Sequence, residues 1–366
     1  MNPISEFRGP ITSATIFQPS DKACNRCVIN KEGDLLFVAS ANVVYGYNLM
    51  TEVCFKRYEG HDGVIEDIDI NETSTRLISV GADQRVLIHS IETGNVILEM
   101  DSKTLLQCCC FAPGKINQAV MLSSSQMKQV PTLRLFHLKT QTDAAHPFDE
   151  KFKHEFSDGV NSVVWPNDNT IIVVDVKGRL MLFSKKDSTE FKLIRTVDAH
   201  RGSINSISVS FDKKFISTAS ADTTACTWTL ELEKVGMFPH SFLVSSTSFS
   251  PNGKHIVLAS SADKKNVATT NFGSTDFTIN FFHIVFQEEF ASIKVHKSPV
   301  NDVKFTPDGM TVVTTSQEGT VMVIRLGEDY QRMVETHDEE LEKIKQEINN
   351  KKMNKYSIKF FAFCFV

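Results

Sequence analysis

The chain has 366 residues, 41% of them apolar and 23% charged, with a formal net charge of −5, a composition that suits a globular fold. The mild acidic excess and the lack of a basic stripe exclude a phosphate-backbone reader. No secretory leader is visible in the first 20 residues, and no apolar run approaches the ~18 residues that cross a bilayer.

Seven units of short strands follow one another. Their starts, judged by an apolar residue four places further on, fall at Ser20, His61, Ser102, Phe156, His200, His240 and His296, with spacings of 41, 41, 54, 44, 40 and 56 residues. In the first unit Gly33 and Asp34 mark a turn, and Cys24 and Cys27 form a CxxC. The second unit carries His61, Ser79, Asp83 and His89, and the third carries the run Cys108-Cys109-Cys110 and a polar insert over 123–150. The fourth places Trp165 on a first strand, where core is expected.

The fifth unit is the fullest. After His200 comes an alternating run with Ile204, Ile207 and Val209, then a charged turn, a second run from Phe215, a turn at Asp222 and a third run with Trp228. Period-2 runs separated by turn residues predict antiparallel strands, and several per 40–45 residues predict a propeller blade. The sixth unit is approached through Met237, Phe238, His240 and Phe242 and contains an insert over 262–278. The seventh shows only three strands over 300–326.

Beyond Leu326 the pattern changes. Thr336 and Glu339 form a capping box, and Leu341, Ile344 and Ile348 recur at helical spacing, predicting a helix over 336–352. Its apolar stripe either stays solvated or docks on the propeller or a partner. Residues 357–366 are mostly apolar and too short to span a membrane. The expected division is a propeller over 1–326 and a helical tail over 327–366.

The repeated polar trio has a physical reading. A histidine can bond a carboxylate 22 residues later, giving the pairs His61–Asp83, His200–Asp222 and His296–Glu318. A hydroxyl four places before the carboxylate (Ser79, Thr218, Thr314) can bridge towards an indole, which only the fifth unit supplies, as Trp228. Satisfied buried polar groups of this kind pin a blade. His89 and Ile324 stand in the indole position of the second and seventh units. Nucleophilic catalysis needs one such constellation in one pocket, whereas here it recurs around a ring. No phosphate loop, zinc motif or EF-hand loop is present, and the CxxC has no second ligand pair nearby. The cysteines are expected to be reduced and buried or half-buried. We therefore expect no enzyme, no catalytic residue, no cofactor and no metal ligand set.

These units resemble the WD40 family, which implies an all-β, seven-bladed propeller of four-stranded sheets. In that family an N-terminal strand closes the last blade; here the candidates are residues 10–17 or 3–8. Between Lys31 and Leu326 the chain is further similar to the subunit i family of eukaryotic translation initiation factor 3. The stretch Phe281-Phe282-His283-Ile284-Val285-Phe286-Gln287-Glu288-Glu289-Phe290 carries that likeness, with support from Glu32 to Phe37 and the Ser125-Gln126-Met127 turn. Blades three and four are only loosely similar, and Ala259-Ser260-Ser261-Ala262 replaces a glycine-rich run, which makes the chain a divergent member.

The resemblance implies a cytoplasmic, non-enzymatic scaffold. It would bind subunits b and g within a hetero-complex and help bring the initiation machinery to the small ribosomal subunit and messenger RNA, without touching nucleic acid or membrane itself. It also implies that a helix of subunit b docks between blades five and six, near Met237, Phe238 and His240. The alternative is a WD40 adaptor in signalling or ubiquitin-ligase recruitment, with an enzyme third.

Overall fold

A computed structural model describes residues 11–115, 117–124, 129–139, 148–186, 190–261 and 277–351. The Ser125-Gln126-Met127 turn, the core of the sixth-unit insert, the candidate closing strand 3–8 and the apolar segment 357–366 lie outside the described residues.

Every unit becomes a four-stranded antiparallel sheet. After β1 (Ile11–Phe17), blade one is β2 (Cys24–Ile29), β3 (Leu35–Ser40), β4 (Val43–Asn48) and β5 (Val53–Tyr58). Blade two is β6 (Ile65–Ile70), β7 (Arg76–Gly81), β8 (Arg85–Ser90) and β9 (Val96–Asp101). Blade three is β10 (Leu106–Phe111), β11 (Gln118–Ser123), β12 (Thr132–Leu138) and β13 (Phe148–Glu155). Blade four is β14 (Val160–Asn167), β15 (Thr170–Asp175), β16 (Arg179–Ser184) and β17 (Lys192–Asp198). Blade five is β18 (Ile204–Val209), β19 (Phe215–Ser220), β20 (Thr224–Thr229) and β21 (Lys234–Pro239). Blade six is β22 (Leu243–Phe249), β23 (His255–Ser261), β24 (Phe277–His283) and β25 (Glu288–His296). Blade seven has β26 (Val300–Phe305), β27 (Thr311–Ser316) and β28 (Val321–Leu326), and β1 supplies its fourth strand. The closing segment is thus the one at 10–17, with Ala14 opposite Ile324 and Phe17 opposite Val321.

The first strands of successive blades neighbour one another around the ring, and β26 returns to β2, so these strands line the axis. Among the described residues the core is divided into seven apolar clusters, each between two adjacent blades. Phe37, Tyr58 and Ile65 join blades one and two, for example, and Leu36, Tyr45 and Val323 join blades one and seven. A blade buries both faces against its neighbours, so its middle strands are continuously apolar, as in Ile171-Ile172-Val173-Val174.

The tail helix, α1 (Glu328–Lys351), starts eight residues before the expected 336. Glu328 and Asp329 place negative charge at its positive end. Thr336 is interior, not a cap, and its hydroxyl donates back to the Arg332 carbonyl at 2.8 Å. The stripe runs through Tyr330, Val334, His337, Leu341 and Ile344, one helical turn spacing after another. Tyr330 is 3% exposed and packs with Phe281 and Phe305 of blades six and seven. The docked alternative therefore holds, with the propeller as the partner.

Candidate functional site

His61 Nδ1 lies 2.9 Å from Asp83 Oδ2, and its Nε2 lies 3.0 Å from Ser79 Oγ. Asp83 also accepts the backbone N–H groups of Asp62 and Arg85. In blade five the Trp228 indole donates to Thr218 Oγ1 at 3.1 Å, and Thr218 sits 2.7 Å from His200 Nε2. His200 Nδ1 reaches Asp222 Oδ2 at 3.0 Å. One neutral tautomer, with the proton on Nδ1, satisfies every member of that chain. In blade seven His296 Nε2 meets Thr314 at 2.8 Å and Nδ1 meets Thr320 at 2.9 Å, while Glu318 stands further off at 3.4 Å.

Burial lowers the His200 pKa against the pull of Asp222. Burial also works against the Asp222 carboxylate. Hydrogen bonds from Thr224, the Arg201 N–H and His200 outweigh it and hold the carboxyl below its ordinary range. Ser79, Thr218 and Thr314 are all fully buried. In this arrangement the three hydroxyls face blade neighbours and not solvent.

The second blade lacks an indole, and His89 in that place turns away to the Glu59 carbonyl at 2.9 Å. Blade four has no histidine. There Arg179 bridges Asp175 at 2.5 Å and Asp158 at 2.7 Å, doing with an ion triad what His200 and Asp222 do elsewhere.

Two polar sets escaped the sequence reading. Five residues after the unit start stands an asparagine in four units, and each donates to a carbonyl at the head of the next blade. Asn25 bonds Ile65 at 2.9 Å, Asn161 bonds Ile204 at 2.7 Å, Asn205 bonds Val244 at 2.8 Å and Asn301 bonds Cys24 at 2.9 Å. One residue further on, Asp67 accepts the Cys109 N–H at 3.0 Å, and Asp302 accepts the Cys27 N–H at 3.2 Å. Arg26 lies 3.5 Å from Asp67, and Lys304 lies 3.2 Å from Asp302. The first strands of blades seven, one and two thus bring opposite charges together at the axis. Its enclosure pushes the Asp69 carboxyl up to about 7. The recurring asparagine at a constant offset was the signal available for the first set.

The expected partner surface needs correction. β21 alternates inward and outward, and Phe238 points inward. It is fully buried, with its ring 5.7 Å from that of Phe282. Phe238 is therefore a core residue and cannot anchor a partner in this fold. Both ring nitrogens of His240 are engaged, one with Phe242 and the other with Asn280 Oδ1 at 3.1 Å. Met237 and Phe242 do face solvent, at 46% and 43% exposure. Cys24, Cys27, Cys108 and Cys109 are buried free thiols, and Cys54 is an exposed one. Among the described residues no helix is long and apolar enough to cross a membrane.

A family model described as "WD domain, G-beta repeat" matches residues 52–90, 191–229, 232–267 and 287–325. Matches such as 52–90 and 191–229 begin on the outer strand of one blade and end on the third strand of the next, the offset that leaves β1 to close the ring. The β-propeller domain of Myceliophteria thermophila Cps50 (Swd1) superposes with a TM-score of 0.69, covering 84% of this chain and 98% of that one at 12% identity, which speaks for the fold alone. Eukaryotic translation initiation factor 3 subunit I of Bombyx mori is 30% identical over 322 residues, 86% of this chain and 96% of the relative. The chain belongs to the translation initiation factor 3 subunit I family. The subunit I proteins of Brugia malayi and Drosophila willistoni are each 28% identical, over 319 and 315 residues. In the structure the sixth-blade stretch has a packing role: Phe281, His283, Phe286 and Phe290 are residues against which Tyr330 and His337 of α1 pack.

Proposed function

We propose that this chain is a non-enzymatic scaffold subunit of translation initiation factor 3. In this role it holds subunits b and g and supports recruitment of the initiation machinery to the small ribosomal subunit and messenger RNA. The observation that carries the reading is likeness to subunit I relatives over 95–96% of their length. The site chemistry agrees with it, because the recurring trios are shut inside blades and leave loops and strand edges as the reactive surface. The propeller and α1 act here as one body, since α1 is packed into blades six and seven.

At the junction of blades five and six, Met237 and Phe242 are the solvent-facing apolar groups on which we place the subunit b contact; such side chains serve as anchors for an amphipathic helix. Mixing the full chain with purified subunits b and g, followed by size-exclusion chromatography and calorimetry, tests the proposal. A co-eluting complex is expected, weakened by about 1–2 kcal/mol in the Met237→Ala/Phe242→Ala variant. Separate elution of folded components at micromolar concentration would overturn the scaffold role. Undiminished affinity in the folded double variant would move the subunit b surface elsewhere.

A further inference from the structure

Three imidazoles meet where α1 crosses blade six. His255 opens β23, His283 closes β24 and His337 comes from the helix. One ring nitrogen from each lies within 4.8 Å of the other two. His255 and His283 are buried and His337 is half-buried. The wall around them is aromatic: the Phe290 ring lies 4.7 Å from that of His255, and the Phe286 ring stacks 4.3 Å from that of His283.

Packing alone does not account for three polar rings here, because apolar side chains would fill the same space without desolvating ring nitrogens. The hydrogen bonds among them are also incomplete. His255 Nδ1 pairs with the Tyr330 hydroxyl at 3.0 Å, and its Nε2 faces His337 Nδ1 at 3.2 Å. His283 Nδ1 accepts the Phe286 N–H at 3.1 Å, which leaves the proton of the neutral ring on Nε2. That Nε2 is buried with no partner among the described residues.

We propose that His255, His283 and His337 form a site for one zinc-type dication that clamps α1 to blade six. Zinc–nitrogen bonds of ~2.0–2.1 Å in a tetrahedron put donor nitrogens about 3.4 Å apart. The His255–His337 pair already has that spacing at 3.2 Å. The widest separation has to close by no more than about 1.5 Å. Imidazole donors favour zinc, copper and nickel over magnesium or calcium. The Tyr330 hydroxyl is the outer partner that holds His255 with Nε2 free to ligate. His337 moves its proton to the nitrogen away from the ion. His283 moves its proton to Nδ1 and gives up the Phe286 N–H, which sits in a half-exposed turn and can turn to water. Burial lowers the pKa of all three rings, His255 to about 3 and His283 to about 4, so they stand uncharged at neutral pH. Spacing in the sequence could not reveal this set, because the three residues come from separate elements.

The test uses the full chain, stripped with a chelator and dialysed against micromolar free zinc. One zinc per chain is expected, with a raised unfolding temperature. Cobalt loading should give the intense visible bands of a tetrahedral site. His337→Gln, on the half-buried helix face, should weaken binding at least tenfold and abolish the thermal gain, and His283→Gln should do the same. His137→Gln, on β12, should leave binding unchanged. No bound zinc in the folded wild type would overturn the proposal. So would stoichiometric binding that persists in both His337→Gln and His283→Gln, or octahedral cobalt bands.

Discussion

The Thr218 hydroxyl makes three contacts, accepting from Trp228, facing His200 and lying 3.3 Å from the Cys226 carbonyl. Replacing His200 with alanine takes one partner from Thr218 and one from Asp222, so about 1–3 kcal/mol of stability should be lost in thermal or urea unfolding. A pH dependence follows with a definite sign. The folded chain resists protonating His200, whereas the unfolded chain takes up that proton near pH ~6.5. Stability is therefore full above about pH 6.5 and falls as the pH drops below it. The urea midpoint should decrease between about pH 7 and pH 5.5, and less so in His200→Ala. Equal decreases in both would assign the titration to another group. Phe238→Ala, which empties a site between blades five and six, should cost about 3–5 kcal/mol and act on folding rather than on partner binding. The histidine–carboxylate spacing was legible because histidine is a rare residue here, 11 in the chain, and the carboxylate recurs at a constant separation from it. The inward aim of Phe238 was not, because it depends on where β21 begins, and Lys234 gives no mark of a strand start. The asparagine staples were hidden for a related reason: a polar residue on an inner strand looks solvent-exposed until the next blade stands beside it.

Among whole elements, β1 and α1 are the two that join the ring from outside the repeat. Deleting residues 1–18 should bare the edge of β28, and such an edge invites pairing with other chains. Aggregation or a broadened unfolding transition is expected, and a truncated chain that stays monomeric and melts like the full one would show that blade seven stands on three strands. The strands were readable from alternation and turn residues, and all seven unit starts lead into a first strand three or four residues later. The first turns of α1 were not. Thr336 and Glu339 imitate a start, whereas the real signals are Glu328 and Asp329 after Gly327, and the stripe becomes visible only once Tyr330 and Val334 are counted with Leu341. A chain ending at Gly327 should uncover Tyr330's seat among Phe281, Phe290 and Phe305. It should melt below the full chain and bind an apolar-surface dye. Unchanged melting would mean that α1 contributes nothing to the fold.

Across the whole molecule, the fold follows from one offset. The repeat in the sequence runs from an outer strand to the third strand of the next blade, so the last repeat ends one strand short and residues 11–17 complete it. Thr15 and Arg325, 310 positions apart, meet across that seam, and Arg325 also pairs with Glu52 at 2.7 Å. This closure has a consequence for biosynthesis. Domains fold in the order they leave the ribosome, yet β1, made before the other strands of the ring, pairs with β28, the last of them. Blades one to six can form while the chain is still growing, but β1 has to wait unpaired with β28 through the synthesis of some three hundred residues. Its sequence, Ile-Thr-Ser-Ala-Thr-Ile-Phe, mixes hydroxyl and apolar side chains without a charge. The seam that makes the finished ring durable is therefore also the step at which an unfinished one is most exposed.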